Sequence, residues 1–502
     1  MTTRSATPTQ VPPRSTAAPE FAWPSRVHCL GIGGAGVSGL ARILAARGVS
    51  VSGHDPNMGP LAHGLREQGL AVSDGESSAA ALPKDTELVV RSAAVPKDDP
   101  QVLAARERGL AVWKYAEALG RLGSARRTLA VAGTHGKTTT SWMLWHALDG
   151  LADHWNEPIA AALIGGVCQR LETNALAGSP DGWLCVEACE YDRSFLHLAP
   201  YGSIVTNVEA EHLDYYRTYD AVRGAFARFL DGTARDGLVV LGRQVPEDVE
   251  EAAEATVWRL GRELEVDLLG EQRGAFSFRL RGPGWATPPI QLGVPGHFNV
   301  ENAALALGLA IGTAVRGAAG RPAEEAARAA ARGLERFQGV DRRFESWGEV
   351  EGVHVVHDYA HHPTEVRVTV EAALRAFPDR PLYVLFQPHQ HSRTARFLEE
   401  FAESLRAADA VWVTDVYGAR LHIDGERQAG APELVAALEA RDVIAVHAGG
   451  LDAAIESFVT DLSDDVGEAA VLVIGAGDID SIRERLHDSL ALRRVARGAS
   501  RT

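Results

Sequence analysis

Apolar residues in this chain come in short runs that stop at Gly, Asp, Glu or His, with longer stretches of three-to-four-residue spacing between them. The runs fall at 27–30, 49–52, 88–90 and 110–113, then at 129–132, 183–186 and 203–206, and again at 353–356, 382–386, 410–414 and 471–474. Short apolar runs without alternation read as strands buried on both faces. Helical spacing is expected over 37–47, 99–109 and 115–122, from Trp142 onward, and up to Val315. Residues 235–295 differ: they read as β-rich, with period-two alternation at Phe276-Ser277-Phe278-Arg279-Leu280. Strands alternating with helices predict an α/β protein built on doubly wound sheets. No internal repeat of 20–50 residues interrupts that pattern.

Length changes the picture first. With 502 residues, and about 150 per domain as a guide, roughly three domains are expected. A net charge of −16 argues against a nucleic-acid partner, which calls for a basic face. The four cysteines (Cys29, Cys168, Cys185, Cys189) form no C-x-x-C pair, which fits a reducing, cytoplasmic compartment. Residues 1–24, rich in Thr, Ser, Pro and Ala, read as a disordered tail without a secretory core. No apolar run is expected to reach the ~20 residues of a membrane span, so membrane insertion is not expected.

The stretch Leu129–Ser141, LAVAGTHGKTTTS, has the order of a phosphate-binding loop: buried strand, Gly-containing turn, helix. Val131 stands where the first glycine of the strict pattern belongs, leaving the shorter G-x-x-G-K-T. Lys137 would reach the outer phosphates of a nucleotide, and Thr138 would offer its hydroxyl to Mg2+. Upstream, Gly31-Ile32-Gly33-Gly34-Ala35-Gly36 is a G-x-G-x-x-G between strand and helix, with Asp55 some twenty positions on. Read naively it binds NAD, which would make the chain an oxidoreductase. Its physics requires only a phosphate or diphosphate on free N–H groups, with Asp55 on a ribose or base and Ser92 at a neighbouring strand end.

Two further runs deliver Glu187-Ala188-Cys189-Glu190 and, after Asn207, Glu209, Glu211, His212 and Asp214. In a parallel sheet these ends share one edge, where Mg2+ would need ligands. A zinc reading of Cys185, Cys189, His197 and His212 is weak, since positions four apart on a strand, as the two cysteines are, lie about 13 Å apart and cannot share one ion. Asn299 and Asn302 share a face on the first turn of a helix, to read a base edge or to cap. Arg342 and Arg343 suit phosphate. The histidines of His357-Asp358-Tyr359-Ala360-His361-His362 invite a metal reading, but Pro363 at a helix start favours a loop over a ligand. The run 382–386 ends in Gln387-Pro388-His389-Gln390-His391-Ser392-Arg393.

Taken together and in order, GIGGAG, AGTHGKTTT, EACEYDRSFL, TNVEAEHLD, GHFNVENA, DRRFE, DYAHHPTE and FQPHQHSRT resemble the Mur ligase family. The resemblance implies three α/β domains: a Rossmann-like N-terminal domain for the UDP substrate (25–120), a central P-loop ATPase-type domain (121–338), and a Rossmann-like C-terminal domain for the amino acid (339–502). It implies that ATP phosphorylates the lactyl carboxylate of UDP-N-acetylmuramate and that L-alanine attacks the acyl phosphate. This is a step of peptidoglycan precursor synthesis, run in the cytoplasm by a monomer or homodimer. The alternative within the family adds a preformed tripeptide during wall recycling. A motor-type P-loop ATPase would instead turn over ATP with no acceptor.

By the same resemblance, ATP meets Gly133, Thr134, His135, Gly136, Lys137, Thr138, Thr139, Asn302, Arg343 and Tyr359, with Asn302 and Tyr359 around the adenine and Arg343 at the transferring phosphate. Metal falls to Thr138, Glu187 and His212, and the UDP substrate to Gly33, Gly34, Asp55 and Ser92. Lys137, His361, His389 and Arg393 carry the chemistry. Either His361 or His389 takes the amine proton, and the residues alone leave that choice open. Many relatives carry Asp at Cys189, Ser at Tyr191 and Asp at Glu211, and some a basic residue at Gln390. The acid network beside Glu187 is therefore thinner here.

Overall fold

The computed structural model describes residues 22–317, 320–418, 429–462 and 468–500. Most of the expected tail, 1–24, lies outside them. Three α/β domains follow one another along the chain. In the first, β1 (Arg26–Leu30), β2 (Ser50–His54), β3 (Ala71–Ser73), β4 (Leu88–Arg91) and β5 (Ala111–Lys114) form a parallel sheet in the order β3-β2-β1-β4-β5. The order reverses between β1 and β4, so a crevice opens at their carboxyl ends, beside the turn that starts the helix Ala35–Ala46.

The central sheet comprises β6 (Thr128–Ala132), β7 (Ala161–Cys168), β8 (Thr173–Leu176), β9 (Leu184–Glu187), β10 (Gly202–Val205), β11 (Leu238–Leu241) and β12 (Thr256–Arg259). Its order is β12-β11-β10-β6-β9-β7-β8. β6 pairs in parallel with β9 on one side and β10 on the other. The glycine loop and both acidic strand ends therefore share one edge. The β-rich stretch is a separate antiparallel sheet of β13 (Glu265–Gln272), β14 (Ala275–Gly282), β15 (Trp285–Ala286) and β16 (Ile290–Pro295).

Behind the central sheet, the helix Lys137–Trp155 packs against His297–Arg316 and Ala323–Leu334. The crossing is tight enough to require glycine on both sides. A Cβ at Gly150 would sit 2.3 Å from the Ala329 carbonyl oxygen, and one at Gly333 would sit 2.1 Å from that of His146. The helix His297–Arg316 corrects one expectation: its 20 residues are long and apolar enough to cross a bilayer. It is instead enclosed, with 78% of its apolar window buried among the neighbouring helices and strands.

The third sheet orders β17 (Glu345–Val350), β18 (Val353–Asp358), β19 (Leu382–Phe386), β20 (Ala410–Thr414), β21 (Ile444–Gly449) and β22 (Ala469–Ile474) as β17-β18-β22-β19-β20-β21. β17 is antiparallel to β18, and the rest are parallel. The domains are tied by polar contacts. Asn174 Nδ2 donates to the Ala35 carbonyl at 2.7 Å and to Ser38 Oγ at 3.2 Å. The Asp341 amide donates to Val167 at 2.9 Å, pinning the segment before the third sheet to β7.

Candidate active site

The glycine loop is held from below by the segment after β10. The Thr134 amide donates to the Asn207 carbonyl (3.0 Å), the His135 amide to Asn207 Oδ1 (2.8 Å), and Thr206 Oγ1 to the His135 carbonyl (2.6 Å). Gly133 and Gly136 have φ of +136° and +81°; a Cβ at Gly133 would lie 1.9 Å from Thr206 Oγ1, and one at Gly136 2.7 Å from Asn302 Oδ1. Such positions admit glycine and little else. The loop opens into a cavity of ≈ 410 Å³ whose walls include Gly136, Thr138, Thr139, Asn299, Asn302 and Arg343. Asn302 Nδ2 donates to Asn299 Oδ1 at 3.2 Å. The Tyr359 ring is not among those walls; it lies under the guanidinium groups of Arg342 (4.5 Å) and Arg343 (5.3 Å).

Lys137 Nζ donates to the carbonyls of Gly133 (2.6 Å) and Thr134 (2.9 Å) and pairs with Glu190 at 3.0 Å. Burial opposes its charge, but Glu190 and its neighbours more than compensate, so the ammonium is held above its ordinary range. Glu190 is 2% exposed and kept ionised against burial by Lys137 and by His212 Nε2 at 3.4 Å. The sequence placed Glu190 at an acidic strand end with Glu187 but not as the partner of Lys137. Glu187 accepts from the Gly165 amide at 2.8 Å. The Nδ1 of His212 is buried without a hydrogen-bond partner, and Thr138 is buried at the loop. One hydroxyl and one carboxylate are hard oxygen donors suited to Mg2+, and the orphaned imidazole nitrogen leaves a ligand to spare. Cys189, between the two glutamates in sequence, is exposed.

The C-terminal domain closes over this edge. His135 Nδ1 meets Glu365 at 3.2 Å and Nε2 meets Glu209 at 3.4 Å, while Thr364 Oγ1 donates to Glu209 at 3.0 Å. Both ring nitrogens face carboxylates, which only accept, so His135 is an imidazolium. Burial opposes that charge, but Glu209 and Glu365 raise its pKa to about 10. Among the described residues, His135, Glu209 and His362 are the one histidine–acid trio with ligand atoms within 4.8 Å of one another. In this state His135 joins Glu209 of its own domain to Glu365 of the C-terminal domain as an ion-pair latch. The histidines of the His357–His362 stretch do not converge: His357, within β18, is fully buried and stacks on Trp347 at 4.8 Å.

Deeper in the interface, Arg393 Nη2 donates to Glu211 Oε1 at 2.9 Å and Nη1 to His389 Nδ1 at 3.2 Å. His361 Nε2 lies 3.7 Å from the same Glu211 oxygen. Burial would raise Glu211, but His361 and Arg393 hold it at about 2. Burial lowers His361 despite Glu365 and Glu211, so its ring is neutral. Arg343 faces Glu365 at 3.8 Å.

At the other end, the Gly33 amide donates to Asp55 Oδ2 at 2.9 Å, and the Asn57 amide to Oδ1 at 3.0 Å. Asp55 thus braces the turn. Gly34 precedes the helix Ala35–Ala46, and Ser92 Oγ accepts from the Ala94 amide at 3.3 Å.

Three family patterns match in order: "Mur ligase family, catalytic domain" over 26–127, "Mur ligase middle domain" over 184–310 and "Mur ligase, glutamate ligase domain" over 342–477. The UDP-N-acetylmuramate–L-alanine ligase of Rubrobacter xylanophilus is 39% identical over 400 residues, 78% of this chain and 85% of its own. The chain belongs to the Mur ligase family. The ligase of the same name from Kineococcus radiotolerans is 39% identical over 93% of this Mur ligase and 97% of its own length. The solved UDP-N-acetylmuramate–alanine ligase of Thermotoga maritima superposes with a TM-score of 0.73 at 25% identity, over 95% of this chain and all of that one. A murein peptide ligase from Psychrobacter arcticus shares the fold, with a TM-score of 0.67 at 23% identity over 93% and 99% of the two chains.

Proposed function

We propose that this Mur ligase joins L-alanine to the lactyl carboxylate of UDP-N-acetylmuramate through an acyl phosphate, with hydrolysis of ATP to ADP and phosphate. The observation that carries the reading is the meeting of two sets of groups in one closed interface. Lys137, Thr138 and Glu187 stand on the nucleotide loop's edge, and from the C-terminal domain Arg393 and His361 meet Glu211 of that same sheet edge, with His389 beside them. Relatives that bear the L-alanine ligase name, at 32–41% identity, support that acceptor over a tripeptide.

The turn after β1 would take the UDP group in the N-terminal domain (25–120), and the central domain (121–338) would take ATP. The C-terminal domain (339–502) would bring the amino acid. Mg2+, held by Thr138, Glu187 and His212, would neutralise charge on the phosphates. Lys137 would exchange its two carbonyls and Glu190 for phosphate oxygens, which is how a preorganised cation stabilises a transferring phosphoryl group. Arg343 reaches the same cavity. The closed interface excludes water, which would otherwise hydrolyse the acyl phosphate.

The test is ADP release in the presence of Mg2+. Release that requires both UDP-N-acetylmuramate and L-alanine is expected, and turnover indifferent to omitting either one rejects the reading. Supplying the L-alanyl-γ-D-glutamyl tripeptide in competition separates the wall-recycling alternative.

A further inference from the structure

Glu211 and His361 carry a division of labour that the motif series does not assign. Arg393 and Glu211 form a buried ion pair at 2.9 Å, the Glu211 side chain 9% and the Arg393 side chain 11% exposed. An α-amino acid is itself a compact ion pair, with carboxylate and ammonium on one tetrahedral carbon. Laid antiparallel against the Arg393–Glu211 pair, its carboxylate meets the guanidinium and its ammonium meets the Glu211 carboxylate. Both charges are then matched in a site that excludes water, where an unmatched one is costly.

The two histidines beside this pair are not equivalent. His389 Nδ1 accepts from Arg393 at 3.2 Å, because a guanidinium only donates, so that lone pair is in use. His361 Nδ1 lies 3.1 Å from the Tyr359 carbonyl and 3.3 Å from Glu365 Oε2, both acceptors, so Nδ1 carries the proton. His361 Nε2 lies 3.7 Å from Glu211 Oε1, beyond hydrogen-bond distance, so unlike His135 the ring holds no second proton against a carboxylate and its lone pair is on Nε2. A base aimed at a carboxylate has no partner there until a cation sits between them.

We infer that Glu211 seats the ammonium of the incoming amino acid and that His361, through Nε2, takes its proton. This rests on the ligase reading above. The ammonium gives one proton to His361 Nε2, and the freed amine nitrogen forms a bond to the acyl carbon. The carbon–oxygen bond to phosphate then breaks, with its electron pair leaving on phosphate. The second N–H proton leaves with that phosphate as hydrogen phosphate, and the amide nitrogen keeps the third. The new imidazolium faces Glu211, which stabilises it.

Hydroxylamine supplies the control, because it attacks acyl phosphates as an uncharged amine with neither an ammonium nor a carboxylate to seat. The measurement is turnover with saturating ATP and UDP-N-acetylmuramate, with L-alanine or with hydroxylamine as acceptor. In Glu211→Gln the KM for L-alanine is expected to rise about 30- to 100-fold, and the ratio of alanine to hydroxylamine turnover to fall with it. Glu211→Asp, which keeps the carboxylate, recovers that ratio at least in part. A ratio unchanged in Glu211→Gln, equal loss of both reactions, or a Glu211→Asp ratio as low as that of Gln overturns the inference. Wild-type chain that yields the hydroxamate but no alanyl product refutes the substrate reading, and this inference with it. Alanine turnover in the wild type with an unmoved ratio in the variant refutes this inference alone.

Discussion

Lys137 is surrounded by protein acceptors before any nucleotide arrives: two loop carbonyls and Glu190. ATP would therefore exchange one set of partners for another, and the gain lies in charge placed where phosphoryl transfer develops it. Lys137→Ala is expected to lower ligation by about 10²–10³-fold or more while leaving UDP-sugar affinity nearly intact by calorimetry. Loss of both would mean that the two nucleotide sites are not separate. At Arg393 the fork matters as much as the charge, since Nη2 and Nη1 serve Glu211 and His389 at once. Arg393→Lys keeps a point charge and gives up the fork, so the KM for L-alanine should rise about tenfold with the KM for ATP little changed. Lys137, Thr138 and Arg393 stood out in the sequence because phosphate and carboxylate call for those residue types beside strand ends, and the structure places Lys137 and Thr138 at the loop and Arg393 in the interface. The roles of Glu190, Glu209 and Glu211 were not legible, because an acid after a strand looks the same whether it faces water or a buried cation.

Elements were legible in proportion to their burial. Strands enclosed on both faces, such as β6 and β22, announce themselves as apolar runs. β17 and β21 do not: each lies at an edge, one with Trp347 as its buried side chain and the other with Ile444 67% exposed. Edge strands bury too little for the pattern to show. The crossing at Gly150 and Gly333 was equally invisible, since an isolated glycine in a helical run reads as a weakness. Gly150→Ala tests what it is for. With no room beside the Ala329 carbonyl, the helices must separate, at a cost of about 1–3 kcal/mol by the measure of other overpacked cores. Urea unfolding should show that loss, and a neutral substitution would mean the crossing relaxes freely.

At the scale of the molecule, ion pairs cross the boundary between the central and C-terminal domains. The His135 imidazolium is clamped by Glu209 from its own domain and Glu365 from the other. Its pKa in the closed state is about 10 against an ordinary 6.5. Glu209 stays beside His135 whether or not the domains close, so only the Glu365 share of that rise favours closure; it is present at neutral pH and fades as pH climbs through about 10. Glu365 lies well below its ordinary 4.5, so its share is present above that pH and fades only on strong acidification. The radius of gyration from X-ray scattering should therefore stay small near neutrality and grow as pH approaches 10. His135→Gln should remove the alkaline step, and an identical profile in the variant would assign the opening to other groups.

The helix His297–Arg316 has one more consequence, which concerns the protein's life before it is folded. A 20-residue segment with the length and mean apolarity of a bilayer-crossing helix is covered here by the strands and helices that enclose it. While the chain is being synthesised, that enclosure is incomplete until Ala323–Leu334 has emerged and docked. During that interval the helix is a ready target for chaperones or for aggregation. Until those twelve residues pack, the apolar face they cover is open to misassembly.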